Sequence, residues 1–364
     1  MEQIRRIQGQ DSGIVCLMSG NFVQRGAPAI LDKSLRAKAA ILSGADLVLE
    51  LPTTISLSSA EGFAAGGVSI LSPFCDALCF GAEDADRAAL METAKALLDP
   101  RFSEALRAEL DKGLSFPAAR QAALDTMGID GQLVAKPNNI LAVEYCKAIL
   151  QQNSSMKPLP ISREGSYHDT LPDPENPSAT ALRLLLQTGG NWQRYVPQEA
   201  VSCFENATQH TVEAGERAVL YRLRSMTDQE FEALPYGSEG LWRKLMHAAR
   251  QEATLEDILT AVKSKRYTRT RLDRMVMCAF LGISLQDLMK KPPYARVLAF
   301  NDRGREILKK ARQCGEFPNA GQQIDHPYQL LENRWEDYYA LFAQDKPGAA
   351  GNEPNRRVYY ASKP

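Results

Sequence analysis

Residues 13–21, GIVCLMSGN, join a short apolar run to a turn of small polar residues. Such a run is typical of a strand that is covered on both faces of a parallel sheet. Similar runs follow at 46–51 (DLVLEL), 77–80 (ALCF) and 158–161 (PLPI). Helical segments separate these runs, so the alternation predicts an α/β fold with a doubly wound parallel sheet.

The intervening helices have recognisable ends. A helix from about Lys33 to Ser43 is expected, with Asp32 as its N-cap. A second one, 60–71, follows Ser59, which has the side chain of a typical N-cap. Both helices connect consecutive strands, as the doubly wound arrangement requires.

The first residues look like the end of a helix, EQIRRIQ at 2–8, which Gly9 terminates. The sequence therefore begins inside an α/β unit, and we expect a strand and a loop to precede it. In open parallel sheets the loop after the first strand commonly holds nucleotide phosphates. This loop is thus a candidate catalytic element that the sequence does not contain.

Composition sets mild limits on function. The chain has 364 residues, 44% of them hydrophobic, and a formal net charge of −1. It contains neither a signal peptide nor an apolar run of membrane-spanning length, and no CxxC pair occurs among its seven cysteines, so a cytoplasmic protein is expected. Nucleic-acid binding would need a local basic patch. With four histidines, none at metal-ligand spacing, a zinc centre is not indicated.

Two domains are expected from the length and the change in pattern. Residues 1–190 carry the strand–helix alternation, interrupted by a helical insertion at 87–128. Residues 191–364 are mainly helical, with a short strand expected at 357–360.

Several residues at the predicted strand ends are candidates for ligand contact. Ser19-Gly20-Asn21 is either an ordinary turn or a binding loop, and the turn is favoured. Gly81 follows the third strand, where a glycine either makes an ordinary turn or allows a ligand to approach the backbone, and neither alternative is favoured. Asn138 and Asn139 precede a helix and either cap it or bind a base or ribose; capping is favoured.

Another candidate site follows the last strand. Asn176-Pro177 is expected to open a helix, so Ser178 and Thr180 lie in its first turn, where free N–H groups and hydroxyls can hold a phosphate. Arg183, one turn later, can reach the same anion, and Arg163 enters from the strand end. The alternative is an ordinary capped helix with solvated arginines, and both interpretations remain open.

Residues 263–274, KSKRYTRTRLDR, hold six basic residues and one acidic residue. Such dense positive charge is suited to contacts with backbone phosphates, and the tyrosine within the segment can stack on an exposed base. A solvated helix face is the alternative, but the near-absence of acids favours RNA. The candidate residues are Lys263, Lys265, Arg266, Tyr267, Arg269, Arg271 and Arg274.

Taken together, these segments resemble the bacterial tRNA(Met) cytidine acetate ligases of the nucleotidyltransferase superfamily. The resemblance extends over nearly the whole chain, and it rests on many motifs in the right order: MSGNFVQRG (18–26), PAI (28–30), DK (32–33), DLVLELP (46–52), SAE (59–61), CFGAE (79–83), PNNIL (137–141) with EY (144–145), YHD (167–169), SAT (178–180) and KRYTRTR (265–271).

The resemblance implies an enzyme that activates acetate with ATP as acetyl-adenylate and acetylates N4 of the wobble cytidine of elongator tRNA(Met). Gly81, Asn138 and Arg163 would then contact ATP. Ser178, Thr180 and Arg183 occupy the place of the superfamily's second phosphate motif, and the basic segment 263–274 would hold tRNA. Magnesium is implied as the counter-ion of ATP; no membrane and no protein partner are implied.

The sequence departs from the family in one respect: it contains no H-x-G-H motif, whose imidazoles stabilise the phosphates in the family. At roughly 3–4 kcal/mol for each lost transition-state donor, two missing imidazoles would slow adenylation by about 10⁴- to 10⁵-fold. We therefore expect impaired ligase activity from this sequence.

Two further functions remain open. A non-catalytic tRNA- or RNA-binding protein derived from the family would keep the basic segment 263–274 without a specific ATP site. An adenylyltransferase for a small phosphorylated metabolite would not explain that segment or the long helical part.

Overall fold

The computed structural model describes residues 1–163 and 177–362. Its internal contacts divide the chain into two compact units. Unit 1 combines the two ends of the chain, Met1–Ser58 and Val196–Pro364, and unit 2 is the continuous segment Ser59–Tyr195. The predicted domain division at residue 190 remains a prediction, and the break of the units after Tyr195 lies near it.

Unit 1 contains a four-stranded sheet built from both of its segments. The strands lie in the order Val15–Ser19 (β1), Leu47–Leu51 (β4), Val297–Asn301 (β7) and Tyr359–Ala361 (β8). Strand β1 is parallel to β4, β4 is antiparallel to β7, and β7 is parallel to β8. In the register, Val15 lies beside Leu47 and Val48 beside Ala299. The strands of unit 1, with the β2–β3 hairpin, are Val15–Ser19 (β1), Phe22–Val23 (β2), Ala27–Pro28 (β3), Leu47–Leu51 (β4), Val297–Asn301 (β7) and Tyr359–Ala361 (β8).

The helix Lys33–Leu42 (α2) packs against this sheet. Its N-terminus lies where the sequence predicts it, because the Asp32 carboxylate accepts a hydrogen bond from the Ser34 amide at 2.7 Å. Ala37 and Ile41 on its inner face join Val48 and Ala299 of the sheet in one apolar cluster.

The remainder of unit 1 is helical and has its own large apolar core, to which Phe22 and Leu57 of the first segment contribute. Its helices are Glu2–Gln8 (α1), Thr53–Ser56 (α3), Gln198–Val201 (α10), Val212–Ser225 (α11), Asp228–Glu232 (α12), Leu241–Gln251 (α13), Leu255–Val262 (α14), Arg269–Leu281 (α15), Leu285–Met289 (α16), Asp302–Ala311 (α17) and Pro327–Ala340 (α18), with a short 3₁₀ helix at Glu353–Asn355.

Unit 2 contains a parallel pair of strands, Ala77–Ala82 (β5) and Lys157–Ser162 (β6), in which Gly81 lies beside Ile161. Ser59 caps the first helix as predicted. The segment 87–128 forms three helices. The helices of unit 2 are Ala60–Leu71 (α4), Arg87–Leu98 (α5), Pro100–Asp111 (α6), Phe116–Thr126 (α7), Pro137–Gln151 (α8) and Ala179–Gln187 (α9), with 3₁₀ turns at Gly131–Ala135 and Gln193–Tyr195.

The predicted class, an α/β fold with parallel strands followed by a mainly helical part, is confirmed. The β2–β3 hairpin and strand β7 were not predicted; β7 lies in the part expected to be helical, and it pairs with β4 on the side opposite β1. Within the described residues, no helix combines the length and the apolar character that crossing a membrane would require.

Candidate functional site

Gly81, Asn138 and Arg163 lie together at the carboxyl ends of β5 and β6, and we call them the strand-end cluster. The Arg163 amide donates a hydrogen bond to the Ala82 carbonyl at 2.9 Å, which continues the pairing of the two strands. The Arg163 side chain then turns back, so that its Nη1 atom lies 3.5 Å from Asn138 Oδ1. Three residues distant in sequence thus form one local surface.

Gly81 allows the Arg163 side chain to lie close to the backbone of the strand. A Cβ atom built on Gly81 would lie 2.6 Å from Arg163 Cδ and 2.8 Å from Arg163 Cγ. Both residues are exposed. The absence of a side chain at Gly81 therefore lets the arginine lie across the strand end, with its guanidinium available to an anion.

Glu83 occupies the N-terminus of helix α8. Its carboxylate accepts hydrogen bonds from the backbone amides of Asn138 at 3.2 Å and Asn139 at 2.8 Å, and from Asn138 Nδ2 at 2.8 Å. A carboxylate at this position satisfies free N–H groups and interacts favourably with the helix dipole. The capping role expected of Asn138 and Asn139 therefore belongs to Glu83, which was not among the predicted site residues.

Asn139 is fully buried and holds the loop after β5. Its Oδ1 atom accepts a hydrogen bond from the Asp84 amide at 3.0 Å, and its Nδ2 atom donates one to the Asp84 carboxylate at 2.6 Å. Lys136 also pairs with Asp84, at 2.8 Å. Hydrogen bonds from Lys136 and Asn139 lower the pKa of Asp84, so this carboxylate stays ionised. Asn139 thereby fixes the loop, whereas Asn138 faces Arg163.

Ser178, Thr180 and Arg183 form a separate group at the start of α9. The Ser178 hydroxyl accepts a hydrogen bond from the Ala181 amide at 3.0 Å, so Ser178 itself is the N-cap and the helix begins at Ala179. The expected start at Asn176 falls in residues 164–176, outside the described residues, as does His168. The phosphate-binding role of this turn remains a prediction.

The basic segment 263–274 has acidic partners that come from elsewhere in unit 1. Arg266 pairs with Glu239 at 2.8 Å. Arg269 pairs with Glu256 at 2.7 Å and with Asp273 at 2.9 Å. The expected near-absence of compensating acids thus does not hold, because folding brings in two carboxylates that lie outside the segment.

Tyr267 is only 5% exposed. Its hydroxyl donates a hydrogen bond to Glu239 at 3.1 Å, and the Arg271 guanidinium lies 5.0 Å from the centre of its ring. In this conformation the ring cannot stack on a base, and it supports Arg271 instead. Lys263 and Lys265 are exposed, while Arg274 donates to the Gln24 carbonyl at 3.3 Å.

The turn Ser19-Gly20-Asn21 is part of the protein interior. Asn21 is 4% exposed; its Nδ2 atom donates to Glu336 at 2.6 Å and its Oδ1 atom accepts from the Lys33 amide at 3.1 Å. A side chain at Gly20 would collide with the Glu50 carboxylate. Both the nitrogen and the oxygen of the Asn21 side-chain amide therefore have partners within the protein, which supports the interpretation as a turn.

A buried ion-pair network lies next to this turn, and sequence reasoning gave it no role. Lys33 Nζ lies 2.8 Å from Glu353, 3.0 Å from Glu50 and 3.8 Å from Glu336. Burial alone would lower the pKa of Lys33, but the three carboxylates raise it well above its usual range. The members of the network are Asp32, Lys33, Glu50, Arg296, Glu332, Glu336, Glu353 and Arg356.

Arg356 connects the same network to the start of α2. Its guanidinium binds Asp32 at 2.6 Å, Glu353 at 3.0 Å, and Glu336. The C-terminal segment is thus fixed to the start of α2 by charge. No group of three or more His, Cys, Asp or Glu side chains suited to a metal ion occurs in residues 1–163 and 177–362.

Comparison with known proteins identifies the family. Residues 1–347 match the family described as HIGH Nucleotidyl Transferase. The tRNA(Met) cytidine acetate ligase of Clostridium tetani is 38% identical over 362 residues, which cover 92% of this chain and 90% of that protein. That of Alkaliphilus metalliredigens is 38% identical over 389 residues, covering 96% and 92%.

Solved structures agree with these relatives. The apo structure of Thermotoga maritima TmcAL has a TM-score of 0.89 at 28% identity and covers 100% of this chain and 95% of that one. The same protein bound with alpha-thio ATP has a TM-score of 0.85 at 27% identity, with the same coverage. This chain therefore belongs to the HIGH nucleotidyl transferase family and, within it, to the enzymes named tRNA(Met) cytidine acetate ligases.

Proposed function

We propose that this enzyme activates acetate with ATP and acetylates N4 of the wobble cytidine of elongator tRNA(Met) in the cytoplasm. In the first step an acetate oxygen attacks the α-phosphorus of ATP, which forms acetyl-adenylate and releases pyrophosphate. In the second step the cytidine N4 amino group attacks the acetyl carbon, AMP leaves, and the nitrogen loses a proton. The names of the relatives support the tRNA substrate, and the ATP-analogue complex of the Thermotoga protein supports the nucleotide.

The observation that supports the nucleotide role most directly is the strand-end cluster. A guanidinium offers several donors to phosphate oxygens, and Arg163 lies exposed above the bare backbone of Gly81. Asn138 Oδ1, within 3.5 Å of that guanidinium, orients it. We assign ATP contact to these three residues and assign Ser178, Thr180 and Arg183 to a second phosphate contact at the start of α9.

Catalysis by such a site relies on placing the triphosphate and neutralising its charge more than on covalent steps. Magnesium would be carried largely by the phosphates and water, which suits its preference for few protein ligands. The tRNA contacts are assigned to the basic segment 263–274, in which Lys263, Lys265 and Arg266 are the exposed cations.

Substitution of Arg163 tests the proposal. Loss of a charge-assisted hydrogen bond to phosphate, about 1.5–3 kcal/mol, should weaken ATP binding by roughly 10- to 100-fold in Arg163→Ala. Arg163→Lys should keep part of the affinity because the charge remains. ATP affinity is measured by calorimetry and tRNA affinity by fluorescence anisotropy, with exposed Arg107→Ala in the same unit as the control.

ATP binding that is unchanged in Arg163→Ala would refute the assignment of the nucleotide site. A chain that binds tRNA but has no specific ATP affinity would instead be a non-catalytic RNA-binding protein. Transfer of labelled acetate to a tRNA(Met) transcript with cytidine at the wobble position, but not to one with uridine there, would support the full reaction.

A further inference from the structure

Tyr221 projects from helix α11 with 75% of its surface exposed. Arg217 lies one turn before it and Arg224 one turn after it, so the three side chains share one face of the helix. Both arginines are exposed as well. This face therefore offers an aromatic ring for stacking and two cations for phosphates, the combination with which proteins hold single-stranded nucleic acid.

The same face borders an open groove of about 470 Å³, lined by Arg217, Leu220, Tyr221, Arg224 and Ser225. Leu220 forms an apolar floor, since it is only 9% exposed and belongs to the helical core. Arg224 is oriented by a hydrogen bond of 3.1 Å from its Nη2 atom to the Glu252 carbonyl. The face also carries one acid, the exposed Glu213, a turn before Arg217.

We propose that this face of α11 binds tRNA, with an unpaired base stacked on Tyr221 and the adjoining phosphates held by Arg217 and Arg224. Stacking on an exposed aromatic side chain beside cations is the usual way in which proteins hold single-stranded RNA. Tyr267, the aromatic residue that the basic segment suggested for this role, is buried and paired with Glu239. Tyr221 has the exposure that Tyr267 lacks.

The inference depends on the proposed tRNA substrate, and it extends the RNA-binding surface beyond the basic segment 263–274. Its test uses the full chain and a fluorescent elongator tRNA(Met) transcript, titrated by anisotropy at several salt concentrations. Tyr221→Ala should weaken binding by roughly 10- to 100-fold, whereas Tyr221→Phe keeps the ring and should stay within about threefold. The control Leu330→Ala removes another exposed apolar side chain of unit 1, one that is 67% exposed.

The paired variant Arg217→Ala/Arg224→Ala should reduce the slope of log affinity against log salt by about 1.4–1.8, because two phosphate contacts are lost. The double variant Arg101→Ala/Arg107→Ala, in which both exposed arginines belong to unit 2, controls for the loss of two positive charges. ATP affinity should be the same in every variant, which separates the RNA surface from the nucleotide site.

If the wild-type chain binds tRNA and Tyr221→Ala binds it with unchanged affinity, the inference is overturned while the proposed function stands. If that variant instead altered the oligomeric state in light scattering while it bound tRNA normally, the face would be an interface between copies of the chain, which also overturns it. A wild-type chain without tRNA affinity would refute the proposed function itself. Wild-type binding that is lost in Tyr221→Ala and kept in Tyr221→Phe would support the inference.

Discussion

Replacing Lys33 by methionine removes the positive charge on which three buried carboxylates converge. Lys33 is 4% exposed, and its ammonium group lies within 3.0 Å of both Glu50 and Glu353. Removing one partner from a buried ion pair typically costs 3–5 kcal/mol, because the remaining charge is left without compensation. Arg356 still binds Glu353, so we expect a loss near the lower end, about 3 kcal/mol. For a unit of this size that loss corresponds to a fall in Tm of roughly 6 °C or more.

The pH dependence of the stability of Lys33→Met provides a second, independent test of the same argument. Without Lys33, burial should raise the pKa of Glu50 in the folded state, because desolvation is already the largest influence on that carboxyl. An acid whose folded pKa is raised binds its proton more tightly in the native state, so its protonation stabilises the fold as the pH falls. The Tm difference between wild type and Lys33→Met should therefore shrink from about pH 8 to about pH 5.

Differential scanning calorimetry at both pH values measures the effect. The double variant Lys33→Met/Glu50→Gln removes one of the uncompensated carboxylates and should recover at least about 1 kcal/mol. Lys265→Met, an exposed lysine in the same unit, should change stability by no more than about 0.5 kcal/mol. A Tm for Lys33→Met within about 1 °C of wild type, or a difference that grows on acidification, would refute the argument.

Three further outcomes can be measured. Burial tends to raise the pKa of Asp32, but its arginine partner and a backbone amide hold that pKa at about 2, below its ordinary 3.8. The ionised carboxylate should therefore contribute about 2 kcal/mol to the free energy of unfolding above about pH 4, and this contribution should disappear as the pH falls towards 2. Asp32→Asn should accordingly be destabilised in urea unfolding at neutral pH but nearly equal to wild type near pH 2, and an equal difference at both would contradict this. Gly81→Ala should weaken ATP binding by about tenfold in calorimetry, since the new methyl group must displace Arg163; unchanged affinity would show that the arginine position is unimportant. Lys263→Ala/Lys265→Ala should lower the salt slope of tRNA binding by about 1.4–1.8 without changing ATP affinity, and an unaltered slope would exclude them as phosphate contacts.

Local chemistry predicted much of the fold and one part of the candidate site. Asp32 and Ser59 cap the helices that they were expected to cap, because capping depends on neighbouring residues only. Gly81 and Arg163 were expected at strand ends, and parallel pairing of β5 with β6 brings those ends together. The same logic could have found Glu83, an acid directly after the strand.

Long-range pairing explains what the sequence could not show. Strand β7 is a five-residue segment among helices, apolar except for Asn301, and only its partner β4, some 250 positions earlier, identifies it as a strand. Glu239 and Glu256 neutralise arginines of the basic segment from outside it, so a count of charges within that segment overestimated its free positive charge. Burial of Tyr267 likewise follows from packing and not from its neighbours in sequence.

The discontinuity of unit 1 has a consequence for biosynthesis. Unit 2 is continuous and all of its residues have been made once Tyr195 has been added, whereas strand β4, made earlier, must wait for β7 to cover its second edge. At translation rates of about 5–20 residues per second, that wait lasts on the order of tens of seconds. During this interval β4, which is apolar except for Glu50, has an unpaired edge on the nascent chain, the kind of surface that chaperones protect. All residues of unit 2 are therefore available for folding before those of unit 1, although the synthesis of unit 1 begins first.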